Sequence, residues 1–218
     1  MKYFTNSMAK ISESSVRRLS LYLRFLEEFE QQGTPTVSSG ELATRGGTTS
    51  AQVRKDLSFF GSFGKRGLGY DVPGLAAKLR DILGLRCAYD VVLIGAGKLG
   101  GALTQYEGFR ERGFNIMAVY DRDPGRVGRR WNGLVVRDDS QLERDLTGSP
   151  AKIAILAIPE TGAQEVTDRL VRCGVQAILN FANIKLSVPD SITVKNVNMA
   201  LELEVLSYAL RNQRLASE

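Results

Sequence analysis

The stretch Val91–Leu103, VVLIGAGKLGGAL, constrains this chain more than any other part of it. Four apolar residues, Val91 to Ile94, read as a buried strand of a parallel sheet, and helical spacing begins at Leu99. Between them stands Gly95-x-Gly97-x-x-Gly100. Gly95 permits a tight turn off the strand, Gly97 has no Cβ to keep the backbone from a pyrophosphate, and Gly100 lets helix pack closely on strand. Lys98 and Leu99 open the helix, whose first N–H groups lack intrahelical partners and present a positive dipole end to phosphate. A glycine turn without a ligand is the alternative for an isolated GxGxxG. Here a strand, a helix and a following acid are all in register with it.

That acid is Asp121, which ends a second apolar run, Phe114–Tyr120, and lies 21 residues beyond Gly100. A carboxylate at this place accepts hydrogen bonds from the hydroxyls of the adenine ribose. It also disfavours a 2′-phosphate, which points to NAD(H) as the cofactor. Arg122 beside it would suit that phosphate and keeps NADP(H) as the alternative. Asp-Arg-Asp-Pro is, besides, ordinary turn chemistry.

From Val91 onward strand and helix alternate, the pattern of a doubly wound parallel sheet. Strands are expected near 91–94, 114–120, 134–136, 152–158, 176–180 and 192–195, with helices near 99–112, 139–146 and 161–173. Ligands of such sheets bind at the carboxyl ends of strands where the topology reverses. Two further loops therefore become candidates, Ala157-Ile158-Pro159-Glu160-Thr161 and Asn180-Phe181-Ala182-Asn183, although either could be a connection only. A last helix, Met199–Arg211, carries Leu203, Leu206, Ala209 and Leu210, and needs a surface to cover, either its own sheet or a second subunit.

The chain ahead of the glycine loop has a different charge. Residues 1–86 hold 13 Lys and Arg against 8 Asp and Glu, whereas residues 87–218 hold 16 of each. A basic segment joined to a neutral one suggests a polyanion partner for the first alone. Its elements fit: a helix over Ser14–Gln31 with Val16, Leu19, Leu23 and Leu26 at apolar spacing, stopped by Gly33 and Pro35. Ser38-x-x-Glu41 and Thr49-x-x-Gln52 have the form of capping boxes, opening a short helix and then one to about Phe60. Val53, Leu57 and Phe60 make the buried face of the latter, leaving Ser50, Arg54, Lys55 and Ser58 to face a DNA major groove. Gly61–Tyr70 reads as a two-stranded wing tipped by Lys65 and Arg66, suited to phosphate or minor-groove contact. A solvated helix face and an ordinary hairpin tip are the bland alternatives. Pro73 opens a further helix that Gly84 closes, and the domain boundary falls within Leu85–Asp90.

Composition limits the chemistry. Histidine is absent, which removes the commonest general acid or base and the commonest metal ligand, so neither a catalytic residue nor a metal site is expected. Cys87 and Cys173 lack metal spacing and read as packed or incidental thiols. No run approaches a membrane span and no apolar leader is evident, so a soluble, cytoplasmic protein is expected.

Four motifs together, SSGELA at Ser38–Ala43, QVRKDLSFFGSFGKRGLGY at Gln52–Tyr70, GAGKLGGAL and NFA at Asn180, resemble the Rex family of bacterial redox-sensing repressors over residues 12 to 212. The resemblance implies an α/β protein in three parts: a winged-helix DNA-binding domain (1–86), a Rossmann-like NAD(H)-binding domain (87–197) and a C-terminal helix swapped between the subunits of a homodimer (198–218). It implies double-stranded operator DNA as partner, released when NADH replaces NAD⁺. Matched by motif, Lys55 corresponds to the major-groove contact and Arg66 to the wing contact. Tyr106 corresponds to the aromatic near the cofactor, and Arg24 to a domain-bridging arginine that acts as a switch with Tyr106 and Asn198. Two places depart from the family: its NVD reads Asn196-Val197-Asn198, and its NFAP reads Asn180-Phe181-Ala182-Asn183. The rival functions are an NAD-dependent dehydrogenase and a coenzyme A-binding module, each with an accessory basic domain. The dehydrogenase lacks both a substrate domain and a histidine.

Overall fold

The computed structural model describes residues 11–65 and 68–216. It divides into two compact units, Met1–Cys87 and Ala88–Glu218.

In the first unit, helix α1 (Glu13–Gln31) starts where the Ser12 hydroxyl accepts from the Ser15 N–H. It buries Leu19, Tyr22, Leu23, Leu26 and Phe29. Val16 departs from the expected stripe and is exposed; Tyr22, one turn beyond Leu19, takes the inward place. A short strand that the sequence hides, β1 (Thr36–Val37), leads to α2 (Ser39–Arg45). The capping box there is complete: Ser38 accepts from the Glu41 N–H, and the Glu41 carboxylate accepts from the Ser38 N–H. At α3 (Ser50–Ser58) the expected box is half made. Thr49 accepts from the Gln52 N–H, but the Gln52 amide turns away to Asp56. Strands β2 (Gly64–Lys65) and β3 (Gly69–Asp71) form the wing, and β3 lies between β1 and β2 in an antiparallel sheet. Asp71 caps α4 (Val72–Ile82), whose Leu75, Ala76 and Leu79 join the core of α1.

Asp56, which the alternative of a solvated face over Arg54-Lys55-Asp56 would leave exposed, is completely buried. Arg18 grips it with two hydrogen bonds of 2.6 and 2.8 Å, Gln52 donates at 2.9 Å and the Tyr22 hydroxyl at 3.1 Å. Burial alone would push this carboxyl up, but the bonds from Arg18, Gln52 and Tyr22 outweigh it and hold the group below its usual range. Burial beside the same carboxylate drives the Tyr22 phenol up to about 12. Four donors on one acid lock the rotation of α3 against α1, so that Arg54, Lys55 and Ser58 all emerge on the exposed side.

In the second unit seven strands stand in the order β10-β9-β8-β4-β5-β7-β6. They are β4 (Tyr89–Ile94), β5 (Phe114–Asp121), β6 (Arg130–Trp131), β7 (Leu134–Asp138), β8 (Ile153–Leu156), β9 (Ala177–Asn180) and β10 (Thr193–Asn196). All neighbours are parallel except β6, which hairpins onto β7 through Asn132 and Gly133, both at positive φ. The chain runs outward from β4 through β5 to β7, then returns to the other side of β4 with β8. The topology thus reverses between β4 and β8. Their buried residues alternate between two cores, Val92, Ile94, Ala154 and Leu156 in one and Val91, Leu93 and Ile155 in the other. Helices α7 (Leu142–Leu146) and α8 (Ala163–Arg172) follow expectation.

The single helix expected over 99–112 is instead two, α5 (Lys98–Thr104) and α6 (Glu107–Glu111). Asn132 of the hairpin donates to the Thr104 carbonyl at 2.7 Å, taking the acceptor that a continuing helix would use, and Tyr106 turns extended. The final helix α9 (Met199–Ala216) is longer than expected, and its own sheet does not cover it. Met199, Leu203, Leu206 and Leu210 are all at least 58% exposed.

Asp56→Ala should destabilise the first unit by about 3 kcal/mol, because it strands Arg18 and Tyr22 without their acceptor. Hydrogen exchange of α1 and α3 amides measures this. Since the folded carboxyl is held low, its contribution is complete above the unfolded value near pH 4 and is lost as pH falls through the folded one. The wild-type amides should therefore lose protection below about pH 4 more steeply than those of Asp56→Ala.

Candidate functional site

The glycine loop leaves β4 at Gly95, whose φ of +103° admits few side chains. A Cβ there would strike the Ala157 carbonyl, and one on Gly100 would strike the Gly95 carbonyl. Gly97 is different. Only Arg126 Nη1, at 3.9 Å, lies within 4 Å of the position its Cβ would take, so its surface is free to receive a ligand. Lys98 and Leu99 form the first turn of α5 beyond it. The three glycines thus differ as the pyrophosphate argument requires: two are held by close backbone contact and one faces open space.

Beside this loop, at the carboxyl ends of β4, β5 and β8, a cavity of about 450 Å³ is lined by Gly95, Asp121, Ile158 and Pro159 among others. Asp121 is 6% exposed. Its Oδ2 accepts from the Ala96 N–H at 2.6 Å and from Arg126 Nη1 at 3.1 Å, and its Oδ1 accepts from the Asp123 N–H at 2.8 Å. Burial opposes the charge, but the Asp123 and Ala96 N–H groups and the Arg126 guanidinium outweigh it and hold the carboxyl low. Arg122 lines the same cavity, with Nη1 3.5 Å from where a Cβ on Gly162 would stand.

Arg126, Glu165 and Arg169 also line the cavity and were not expected from the sequence. Arg126 comes into place because Asp123-Pro124-Gly125 turns back, with the Arg126 N–H donating to the Asp123 carbonyl at 2.8 Å. The turn chemistry after Asp121 was the available signal. Arg169 reaches from α8 and holds Glu143 down to about 2 through two hydrogen bonds of 2.6 and 2.8 Å.

Of the expected cofactor residues, Gly97, Lys98, Leu99 and Gly100 belong to the adjoining loop and helix rather than to the lining of this cavity, and Tyr106, Asn180 and Asn198 lie outside it. Tyr106 is 57% exposed, edge-on to Phe109, and lines a smaller cleft of about 190 Å³ with Leu103 and Asn132. Asn180 is completely buried, and its amide is spent within the chain, donating to Ile184 and Asn196 and accepting from the Ala182 N–H. In this conformation it holds the loop rather than facing a ligand. Asn198 accepts from the Ala200 N–H at the start of α9 and donates to Asn183 at 3.0 Å. The two departures from the family pattern are therefore hydrogen-bonded to each other.

In the first unit, α2, α3 and the wing enclose a concave surface of about 710 Å³ lined by Ser39, Arg54, Ser58 and Gly64 among others. Arg54 donates to the Ser39 hydroxyl at 3.1 Å, and the Ser58 hydroxyl donates to the Lys55 carbonyl at 2.8 Å. Lys55 is exposed, whereas Ser50 is half-buried, turned towards Gly40 of α2. Arg66, and the side chain of Lys65, lie outside the described residues. Arg24 is exposed on α1. Among the described residues no helix is long and apolar enough to cross a membrane, and no cluster is disposed to hold a metal ion.

A basic three-stranded winged helix-turn-helix unit and a doubly wound unit with a glycine-loop cavity define a ligand-responsive DNA-binding protein as the class. The family model described as "Putative DNA-binding protein N-terminus" matches residues 10–58, and that described as "CoA binding domain" matches residues 87–184. The redox-sensing transcriptional repressor Rex of Desulfitobacterium hafniense is 45% identical over 94% of this chain and 98% of its own. Two solved structures of RSP are similar throughout. One, in complex with beta-NADH, has TM-score 0.87 at 37% identity over 96% of this chain and 98% of that one. The other, in complex with beta-NAD⁺ and operator DNA, has TM-score 0.88 at 39% identity over 95% of each. The chain belongs to the Rex family of redox-sensing transcriptional repressors.

Gly97→Val adds its branches to the open face of the loop at a backbone conformation (φ −82°, ψ −171°) that valine tolerates. Thermal stability should stay within about 0.5 kcal/mol of wild type. NADH affinity, read by fluorescence titration, should fall by more than roughly tenfold, a loss of about 1.4 kcal/mol.

Proposed function

We propose that this protein represses transcription by binding operator DNA and leaves it when NADH replaces NAD⁺ in the cavity beside the glycine loop. The observation that carries the reading is the open surface of Gly97 next to Asp121 in a chain whose relatives are Rex repressors. Gly95, Gly97, Lys98, Leu99 and Gly100 take the pyrophosphate, Asp121 the adenine ribose, and Ile158 and Pro159 the wall of the site. Arg54, Lys55 and Ser58 face the major groove, with Ser50 turned instead towards α2, and Lys65 and Arg66 form the wing contact. Residues 1–86 serve as the DNA-binding domain, 87–197 as the sensor and 198–218 as the arm of a homodimer working in the cytoplasm. The role is regulation, with no catalytic residue assigned.

Linkage supplies the mechanism. If NADH favours the arrangement that DNA does not, DNA must weaken NADH by the same factor. About 1.4 kcal/mol of coupling lowers operator affinity tenfold. Tyr106, Arg24 and Asn198 are the switch residues in this reading. NAD⁺ carries a charged nicotinamide and NADH a neutral one, so an acid at the sensing end would read redox state by charge. Asn198 offers only a neutral amide, paired with that of Asn183.

Operator titrations test the reading. NADH should weaken binding about tenfold or more relative to NAD⁺, and an equal effect of the two cofactors would sink it. Lys55→Ala should weaken binding at one operator position, whereas Arg66→Ala should lower the slope of log affinity against log salt by about 1. Asn198→Asp replaces a neutral hydrogen bond by a charged one of roughly twice the strength. It should widen the gap between NADH and NAD⁺ in DNA release, and an unchanged gap would remove position 198 from the switch.

A further inference from the structure

We infer that Arg126 is a cofactor-binding residue whose guanidinium passes from Asp121 to the pyrophosphate as the dinucleotide binds. The inference rests on the dinucleotide reading of the cavity.

The position of one nitrogen is the starting point. Arg126 Nη1 lies 3.1 Å from Asp121 Oδ2 and 3.9 Å from where a Cβ on Gly97 would stand. The same atom therefore neutralises the ribose acid and overlooks the bare backbone intended for phosphate. Nε of the same side chain lies 3.2 Å from Asp123 Oδ2. The Arg126 backbone is fixed by its N–H bond to Asp123, but its side chain is 43% exposed, so it can turn without unpacking the core.

Counting acceptors shows why it must swing. A carboxylate offers about four lone-pair positions. Asp121 uses three, two of them on backbone N–H groups that the fold holds in place. A ribose diol brings two donors and finds about one position left. Only the Arg126 bond is made by a side chain, and that side chain is partly exposed, so its release supplies the second position. The guanidinium then needs a new anion, and the pyrophosphate on Gly97 is the nearest that a dinucleotide would bring. Its planar fork matches phosphate oxygens better than a point charge does.

Because both events occur on the ADP half, Arg126 governs affinity and not the discrimination of redox state. In the full-length protein, Arg126→Gln should weaken ADP-ribose, NADH and NAD⁺ by about tenfold each, leaving the NADH to NAD⁺ ratio unchanged. Adenosine, which has the ribose but no phosphate, should bind as before or more tightly. Arg126→Lys, with the charge but not the fork, should fall between. Melting by circular dichroism, expected to be unchanged for so exposed a side chain, confirms that each variant is folded. Wild-type affinity for ADP-ribose in folded Arg126→Gln would overturn the inference. Equal losses for adenosine and ADP-ribose would also overturn it, since Arg126 would then only hold Asp121 in place. A wild-type protein that bound none of NADH, NAD⁺ and ADP-ribose would instead defeat the dinucleotide reading itself.

Discussion

Gly95 is the point at which β4, β5 and β8 come closer than any side chain would permit. Its N–H donates to the Tyr120 carbonyl at 2.8 Å, the Ala157 N–H donates to Ile94 at 2.8 Å, and the adjacent Ala96 N–H donates to Asp121. Three strand ends are thereby gathered around one turn, and a residue with a Cβ would force them apart at Ala157. The cavity, the place of Asp121 and the open surface of Gly97 are all consequences of that approach. A change at Gly95 would alter the sheet as well as the site, whereas a change at Gly97 touches the site alone.

The two units use buried charge to opposite ends. Asp56 is saturated by Arg18, Tyr22 and Gln52 and has nothing left to offer, so its charge fixes the orientation of α3. Asp121 is also buried, but one of its partners is a half-exposed arginine, so its charge can be exchanged for another. Breaking the Asp56 pair is costly because the buried survivor is left desolvated, whereas Asp121 keeps two backbone donors when Arg126 leaves and the arginine passes into solvent. The difference between a structural acid and a ligand-ready one thus lies in whether any of its donors can leave.

Much of this was legible in the sequence because it rests on local rules. The glycine spacing, the capping box at Ser38 and Glu41, the wing and the alternation of strand and helix each follow from a few neighbouring residues. What was not legible depends on partners far along the chain. Asp56 lies 38 residues from Arg18, and no periodicity marks an acid that a distant arginine will bury. The break between α5 and α6 comes from Asn132, 28 residues beyond the carbonyl it captures. β1 and β6 have two residues each, too few for alternation to be visible. Tyr106 and Asn198 were assigned by family resemblance rather than by local rules, and neither lies at the cavity in this conformation.

Helix α9 bears on how such a sensor can be built. Met199, Leu203, Leu206 and Leu210 follow one helical stripe, and Leu201, Val205 and Tyr208 follow another on a different side. All seven are more than half exposed. A helix laid on a single surface needs one apolar face, whereas a helix apolar on two sides belongs in an interior. Burying each such side chain contributes about 1.5–3 kcal/mol, and a whole domain is stable by only about 5–15 kcal/mol. An arm of this kind is therefore better matched by insertion between surfaces of a second copy than by side-by-side contact. Its root is tied by amide pairs, Asn180 to Asn196 and Asn198 to Asn183, so the direction in which the arm leaves depends on the loop after β9. In the repressor reading, movement of that loop would be carried by the arm into the partner subunit, and sensing would be a property of the dimer rather than of either chain.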